Sequence, residues 1–313
     1  MRILIIGATG VIGRRAVPLL FHLGHQVTAV GRSLDYLQAL KRIGASTLTL
    51  DLFDADAVHR AMAEHDAVIN LATHVPSTGV RAFLPGAWKE MDRIRRDGSA
   101  LLVDGALASG AGLFIQESFA PIYPDCADRW ITEDVQPRPA RYNRTALDAE
   151  ASAERFARAV RTGVTLRFAF FYGSDDRFTQ GLFEYVRRGW MPILGRPDGF
   201  FSVVNHEDAA SAVVAAVDAP SGIYNVVDSE PFTRREFGDA LAQMLNVRSP
   251  KILAQWLVNF TGAVGETMAR SLRISNAKLR ETTGWTPKYR SAREGLLAAL
   301  YSRDHPQAKG RYS

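Results

Sequence analysis

The stretch Ile3-Leu4-Ile5-Ile6-Gly7-Ala8-Thr9-Gly10-Val11-Ile12-Gly13 decides the reading of this chain. Four consecutive apolar residues run into a turn with three glycines, and the helix-period pattern that follows begins with Arg14-Arg15. Glycines there permit a tight turn, let the backbone approach a pyrophosphate and let the next helix pack on the strand, while the free N–H groups of the helix start face the anion. The stretch predicts a dinucleotide site in which Gly7, Thr9, Gly10, Val11, Ile12 and Gly13 hold phosphate. A glycine-rich strand-to-helix turn with no ligand is the plainer alternative. Pro18 falls inside the helix pattern and removes one hydrogen bond to residue 14.

Outward from this motif the chain alternates short apolar runs with helical patterns. Strands are predicted at Arg2–Ile6, Gln26–Val30, Ser46–Leu50, Ala67–Leu71, Leu113–Gln116 and Val164–Phe170. Continuous apolar strands separated by helices imply a parallel sheet covered on both faces, an α/β doubly wound domain. Beyond Phe171 glycines and turns break the pattern, and Gly222–Asp228 then returns to the sheet. The expected division is a dinucleotide-binding domain from residues 1–171 plus about 202–228. A smaller, discontinuous C-terminal substrate lobe takes about 172–201 plus 229–313.

Composition limits the alternatives. With 313 residues, 47% hydrophobic and 23% charged, the chain supports its own core. Its one cysteine, Cys126, forms no internal disulfide, and no histidine shows metal-ligand spacing, so a cytoplasmic protein without a metal is expected. A net charge of +5 is spread along the chain, which argues against nucleic acid. No apolar window approaches a membrane span or a signal sequence. Arg93-Ile94-Arg95-Arg96 reads as a solvated or interface face.

Cofactor preference is read at the end of the second strand. Gly31-Arg32-Ser33 stands where an acidic residue would hold ribose hydroxyls. Glycine removes the carboxylate, and the Arg32 guanidinium suits a 2′-phosphate, so NADP(H) is expected. NAD is the alternative, with Asp35 on the ribose. Asp51, beside Leu52, is placed to accept from the adenine amino group, or to cap the helix around Ala55–Ala63.

With Gly7, Gly10 and Gly13, the Asp51-Leu52 pair, Asn70-Leu71-Ala72-Thr73 and Tyr172-Gly173, the chain resembles the extended short-chain dehydrogenase/reductase family, and within it the NAD-dependent epimerase/dehydratase group. The resemblance runs from Met1 to about Arg293 and implies a Rossmann-like sheet, with Leu71, Ala72 and Thr73 at the cofactor. It also implies a homodimer paired through the helix near Ala87–Ala108 and the one carrying Tyr142. Family members carry a Ser, Tyr and Lys set, and Ser118 and Tyr142 stand at a family-like separation. The lysine four residues after the tyrosine is replaced by Ala146. Without that ammonium a neutral Tyr142 phenol still donates a proton, the direction a carbonyl reduction needs.

Two functions follow. The first is an NAD(P)-dependent oxidoreductase acting on a small-molecule carbonyl or alcohol, with Ser118 polarising and Tyr142 protonating the substrate oxygen; a sugar-nucleotide epimerase with retained NAD uses the same chemistry. The second, motivated by Ala146, is a catalytically silent nucleotide-binding sensor.

Overall fold

The computed structural model describes residues 1–76, 84, 86–253 and 255–304. Seven strands form one parallel sheet: β1 (Arg2–Ile6), β2 (Gln26–Val30), β3 (Ser46–Leu48), β4 (Ala67–Asn70), β5 (Leu113–Phe119), β6 (Thr162–Phe168) and β7 (Gly222–Val226). Their order is β7-β6-β5-β4-β1-β2-β3. The order reverses between β1 and β4, which opens a crevice at the carboxyl ends of the strands.

Alternation along β1 assigns the two faces. Ile3 and Ile5 pack with Ala16, Val17 and Leu20 of α1 (Gly13–His22) and with Leu37 and Leu40 of α2 (Leu34–Arg42). Leu4 and Ile6 pack on the other face with Val58 and Met62 of α3 (Ala55–Met62). Helical chain then runs through α4 (Lys89–Arg93), a π-turn (Ile94–Gly98) and α5 (Ser99–Ser109). Leu102 and Val103 of α5 and Phe156 of α6 (Ala146–Arg158) complete that second face. Each fully buried Leu or Ile contributes about 1.5–3 kcal/mol, so both faces must be covered for this sheet to form.

Strands β1 and β2 begin and end where the sequence places them. The third strand stops two residues early, the fourth one early, and β5 runs three further, to Phe119. The sixth predicted strand is two elements. β6 ends at Phe168, the Ala169 N–H bonds the Val226 carbonyl at 3.1 Å, and 170–172 then pairs in parallel with 203–205 outside the main sheet. The Gly222 strand does return to the sheet, beside β6.

A separate apolar cluster lies beyond the strand ends. α7 (Arg177–Arg187), α8 (His206–Ala215) and α9 (Arg234–Leu245) are followed by α10 (Gly262–Ala269), α11 (Ala277–Thr283) and α12 (Ala292–Asp304). Of these, α7, α9 and α12 bury Leu182, Phe183, Phe237, Leu241 and Leu296 against Tyr172, Met191 and Phe201. α8 instead joins α1 on the sheet, through Ala209, Ala212 and Val213.

One side chain ties the irregular parts of this region together. Arg234, fully buried at the start of α9, donates to the carbonyls of Leu194 and Met268 at 2.6 Å, Arg270 at 2.8 Å and Phe200 at 3.4 Å. Burial pushes its guanidinium down to about 10. Replacing it strands several buried carbonyls at once. Arg234→Leu is expected to cost about 3–5 kcal/mol in urea unfolding, and Arg234→Lys to recover only part, because an ammonium does not span four acceptors. A loss under about 1 kcal/mol would assign the clamp no structural weight.

Candidate active site

The cleft floor starts at the turn after β1. Gly7 has φ +80°, and a Cβ there would lie 2.6 Å from the Leu71 carbonyl oxygen and 2.8 Å from the Ala72 nitrogen. Only glycine fits between β1 and the segment leaving β4. That segment is held in turn: the Leu71 N–H donates to the Ile6 carbonyl at 2.9 Å and the Ala72 N–H to Asn70 Oδ1 at 3.1 Å. The Gly10 N–H closes the turn on the Gly7 carbonyl at 2.9 Å.

The helix that follows fits a phosphate. α3, α7, α8 and α9 are capped by the side chains of Asp54, Asp176, Asn205 and Thr233. α1 begins at Ile12 with no side-chain cap and no acidic residue in its first turn. Its first N–H groups therefore face the mouth of the glycine turn, where an anion is favoured. Pro18 does not interrupt α1, which runs on to His22.

At the end of β2, a Cβ on Gly31 would lie 2.3–2.9 Å from the Thr9 side chain. Thr9 occupies the space an acidic residue would need. Arg32 and Asp35 are exposed, and the Arg14 guanidinium lies 5.0 Å over the Tyr36 ring. Asp51 Oδ1 accepts from the Phe53 N–H at 3.0 Å, and Asp54, not Asp51, caps α3, which corrects the capping alternative for Asp51. Leu52 packs against the core, Leu71 and Ala72 are buried, and Thr73 is exposed. Thus Gly7 to Gly13, Gly31-Arg32, Asp51-Leu52 and Leu71 to Thr73 lie past the carboxyl ends of β1, β2, β3 and β4, side by side.

Ser118 is not in the cleft. Its hydroxyl, fully buried, donates to Glu150 Oε1 at 2.6 Å. Glu150 also accepts from Arg167 Nε at 2.8 Å and Nη2 at 2.7 Å. Arg167 Nη1 donates to the Tyr123 hydroxyl at 2.7 Å, which donates to Asn225 Oδ1 at 2.9 Å. This chain is sealed between α6, β5, β6 and β7. The expectation that Ser118 polarises a substrate is therefore corrected: strand alternation turns it toward α6 and turns Phe119 the other way. Phe119 meets Phe170 edge-on at 5.6 Å, and Phe170 stacks on Phe201 at 5.0 Å.

Tyr142 lies in a single 3₁₀ turn (Arg141–Asn143) ahead of α6, its ring 4.7 Å from Trp88. Burial pushes its phenol up to about 12, while a hydrogen bond with Thr267 of α10 and the charges of Arg270 and Arg95 pull the other way. Ala146 is buried and offers no charge. The structure thus does not bring Ser118 and Tyr142 to one substrate atom.

The sequence reading missed Arg95. Arg96 is exposed and pairs with Asp97, as a solvated face would, but Arg95 is only 3% exposed and donates through Nη2 to Glu117 Oε1 at 3.1 Å. The extra residue per turn of the π-turn carries it inward, and helix-period counting does not register that shift. His74 is half-buried beyond β4. His206 is buried at the start of α8, its Nδ1 3.4 Å from Asp175 Oδ1. Asp175 also pairs with Arg14 and Arg15, joining α1 to the second core. His206 and the arginines hold that carboxyl well below the usual range. Among the described residues no cluster could hold a metal ion, and no helix is long and apolar enough to cross a membrane.

Comparison with known proteins agrees with this geometry. A 3-diazoavenalumate denitrifying reductase from a Streptomyces species is 29% identical, covering 95% of this chain and 99% of its own. The 2-alkyl-3-oxoalkanoate reductase of Stenotrophomonas maltophilia is 26% identical over 88% of this chain and 85% of its own. Human epimerase family protein SDR39U1, solved with NADPH, shares the fold at a TM-score of 0.79 and 20% identity, covering 96% of this chain and 99% of that one. The UDP-glucose 4-epimerase of Thermotoga maritima does so at 0.76 and 22%, covering 98% and 100%. Residues 3–226 match the NAD dependent epimerase/dehydratase family. The chain belongs to that family, as an NAD(P)-dependent enzyme of the extended short-chain dehydrogenase/reductase type.

Proposed function

We propose that this chain is an NADPH-dependent reductase of a small carbonyl compound with an aromatic or apolar body, in which Tyr142 is the lone proton donor. The observation that carries this is the phenol itself: burial holds it neutral, up to about 12, and no lysine stands beside it. A neutral phenol gives a proton to a substrate oxygen readily and takes one from an alcohol poorly. That favours reduction over epimerisation, whose first step is an oxidation. Phe119, Phe170 and Trp88 supply an apolar surround for the substrate.

Gly7 to Gly13 and Leu71 to Thr73 would hold the dinucleotide, with Asp51 and Leu52 at the adenine and Arg32 on the 2′-phosphate. Bound there, NADPH supplies the hydride; the carbonyl carbon receives it and the carbonyl oxygen takes the Tyr142 proton, which water then restores. The NADPH preference is supported by the Thr9 side chain against Gly31. The reading includes a substrate lobe of about 172–201 plus 229 onward, whose last residues, 305–313, lie outside the described ones. It also includes a cytoplasmic homodimer paired through α4–α5 and α6.

A second reading is favoured by the Streptomyces relative, whose name states a reductive denitrification of a diazo compound. Hydride delivered to a carbon that releases dinitrogen needs no proton donor, which suits a cleft lacking both the serine and the lysine. The silent-sensor reading loses ground, since reductases stand among the relatives.

In calorimetric titration NADPH is expected to bind more tightly than NADH, and Arg32→Ala to weaken NADPH by at least about tenfold while leaving NADH unchanged. Equal affinities would remove the Arg32 assignment. Tyr142→Phe is expected to lower carbonyl turnover by about 100-fold or more with cofactor affinity intact. Full turnover in that variant would direct attention to diazo substrates. Ser118→Ala should keep turnover within about twofold and lose about 1–2 kcal/mol of stability, the opposite of what a catalytic serine would show. Because the phenol stays protonated, reduction should hold its rate from about pH 6 to about pH 10, and a descending limb near neutrality would identify another acid.

A further inference from the structure

We propose that Arg95 is the positioning residue for Tyr142 in place of the absent lysine: from the π-turn, its buried guanidinium supplies the positive charge that the phenolate needs once the proton has left. This rests on the reading of Tyr142 as proton donor.

The juxtaposition is built by α4. Trp88, at the start of that helix, lies against the Tyr142 ring at 4.7 Å. One turn on, Asp92 Oδ1 accepts from the Thr145 hydroxyl at 2.8 Å, which pins α4 to the start of α6 three residues past Tyr142. Arg95 follows Asp92 by three, and the π-turn brings it to the cleft end of β5, beside Glu117 and 5.9 Å from the Phe119 ring. π-turns inside helices recur at functional sites, because the extra residue is tolerated only where something else depends on it.

The pairing is left open. Arg95 meets Glu117 through one contact, and both Arg95 Nε and Glu117 Oε2 are buried without a hydrogen-bond partner among the described residues. Glu117's neighbour Ser118 touches the other buried Arg–Glu pair, Arg167 with Glu150, which closes through two parallel hydrogen bonds. A pair needed only for packing would close the same way, since an unused buried donor is costly. Arg95 keeps an N–H in reserve.

Other groups do not fill the role. Tyr142 faces Thr267 and Arg270 from the α10 side, Trp88 from α4 and Arg95 from the π-turn, with Glu117, Glu266 and Asp92 as the nearby carboxylates. Arg270 donates to the carbonyls of Tyr123 and Arg138, each at 2.9 Å, and lies 3.6 Å from Glu266, so its charge is engaged by the chain. Ala146 carries none. In the step itself the Tyr142 O–H bond breaks and its proton goes to the substrate oxygen. The electron pair stays on the phenolate, which the neighbouring guanidinium stabilises through the low-dielectric interior until water returns a proton.

The test reads Tyr142 directly and needs neither substrate nor cofactor. The full chain is made with fluorotyrosine, whose more acidic phenol titrates while the fold survives, and its nine tyrosines are followed by fluorine NMR, Tyr142→Phe identifying the resonance. Arg95→Gln should raise the pH of Tyr142 ionisation so that the phenolate is at least about tenfold less populated at a given pH. Arg95→Lys should stay close to wild type, and Glu117→Gln should move the ionisation down. A purely structural Arg95 would not give shifts of opposite sign. Unchanged titration in Arg95→Gln overturns the proposal, and if that variant does not fold, unchanged titration in Glu117→Gln does so. Turnover of the aromatic diketone benzil with NADPH separates the underlying reading: wild-type turnover in Tyr142→Phe removes the donor itself. An Arg95→Gln deficit that disappears in the Tyr142→Phe background supports both.

Discussion

The bidentate contact between Glu150 and Arg167 is the interaction on which the cleft depends. It joins α6 to β6 in a fully dry setting, and its remaining capacity takes up the Ser118 hydroxyl from β5 and the Tyr123 hydroxyl from the turn beyond. Buried ion pairs are weak evidence for stability, because desolvation offsets most of the attraction, but they tolerate few alternative arrangements. Here the consequence is directional. The polar groups of this corner are consumed beneath the sheet, so the surface left to the substrate is Phe119 and its aromatic neighbours.

Much of this was legible in the sequence, and the rest fails for identifiable reasons. The glycine turn and the apolar strands announce the sheet because local sterics and burial on both faces decide them, and β1 and β2 fall where they are read. Ser118 could be placed at a strand end but not on a face, since a parity of one residue separates α6 from the cleft. Its partners, Glu150 and Arg167, are remote in sequence and name themselves only once α6 is docked. Asp51 and Asp54 compete for one cap three residues apart, and nothing local separates them. Arg95 was hidden by its helix, because a single wide turn reassigns which residue faces inward.

The second core acts on the site through α10. Thr267 reaches the Tyr142 hydroxyl, and the carbonyls of Met268 and Arg270, the residues that follow, are gripped by Arg234 at the start of α9. A guanidinium bound to four carbonyls and no carboxylate remains a full positive charge inside apolar packing, so the segment it grips is fixed in position and not merely packed. The cover over Tyr142 is thereby referenced to α9 and the 190–201 region, and water is kept from the phenol by a part of the chain that carries no reactive group. The long-range effect on Tyr142 is dielectric: removing solvent strengthens every nearby charge.

Thr9 and Gly31 give the cofactor site a history as well as a preference. The threonine belongs to the phosphate turn and the glycine to the end of the next strand, yet neither has room to change while the other stays. A lineage adopting the opposite nicotinamide cofactor must therefore pass through an intermediate in which the turn is displaced and both dinucleotides bind poorly. The two positions form a ratchet, so descendants of this chain are expected to diversify freely in what they reduce while keeping the electron source they inherited.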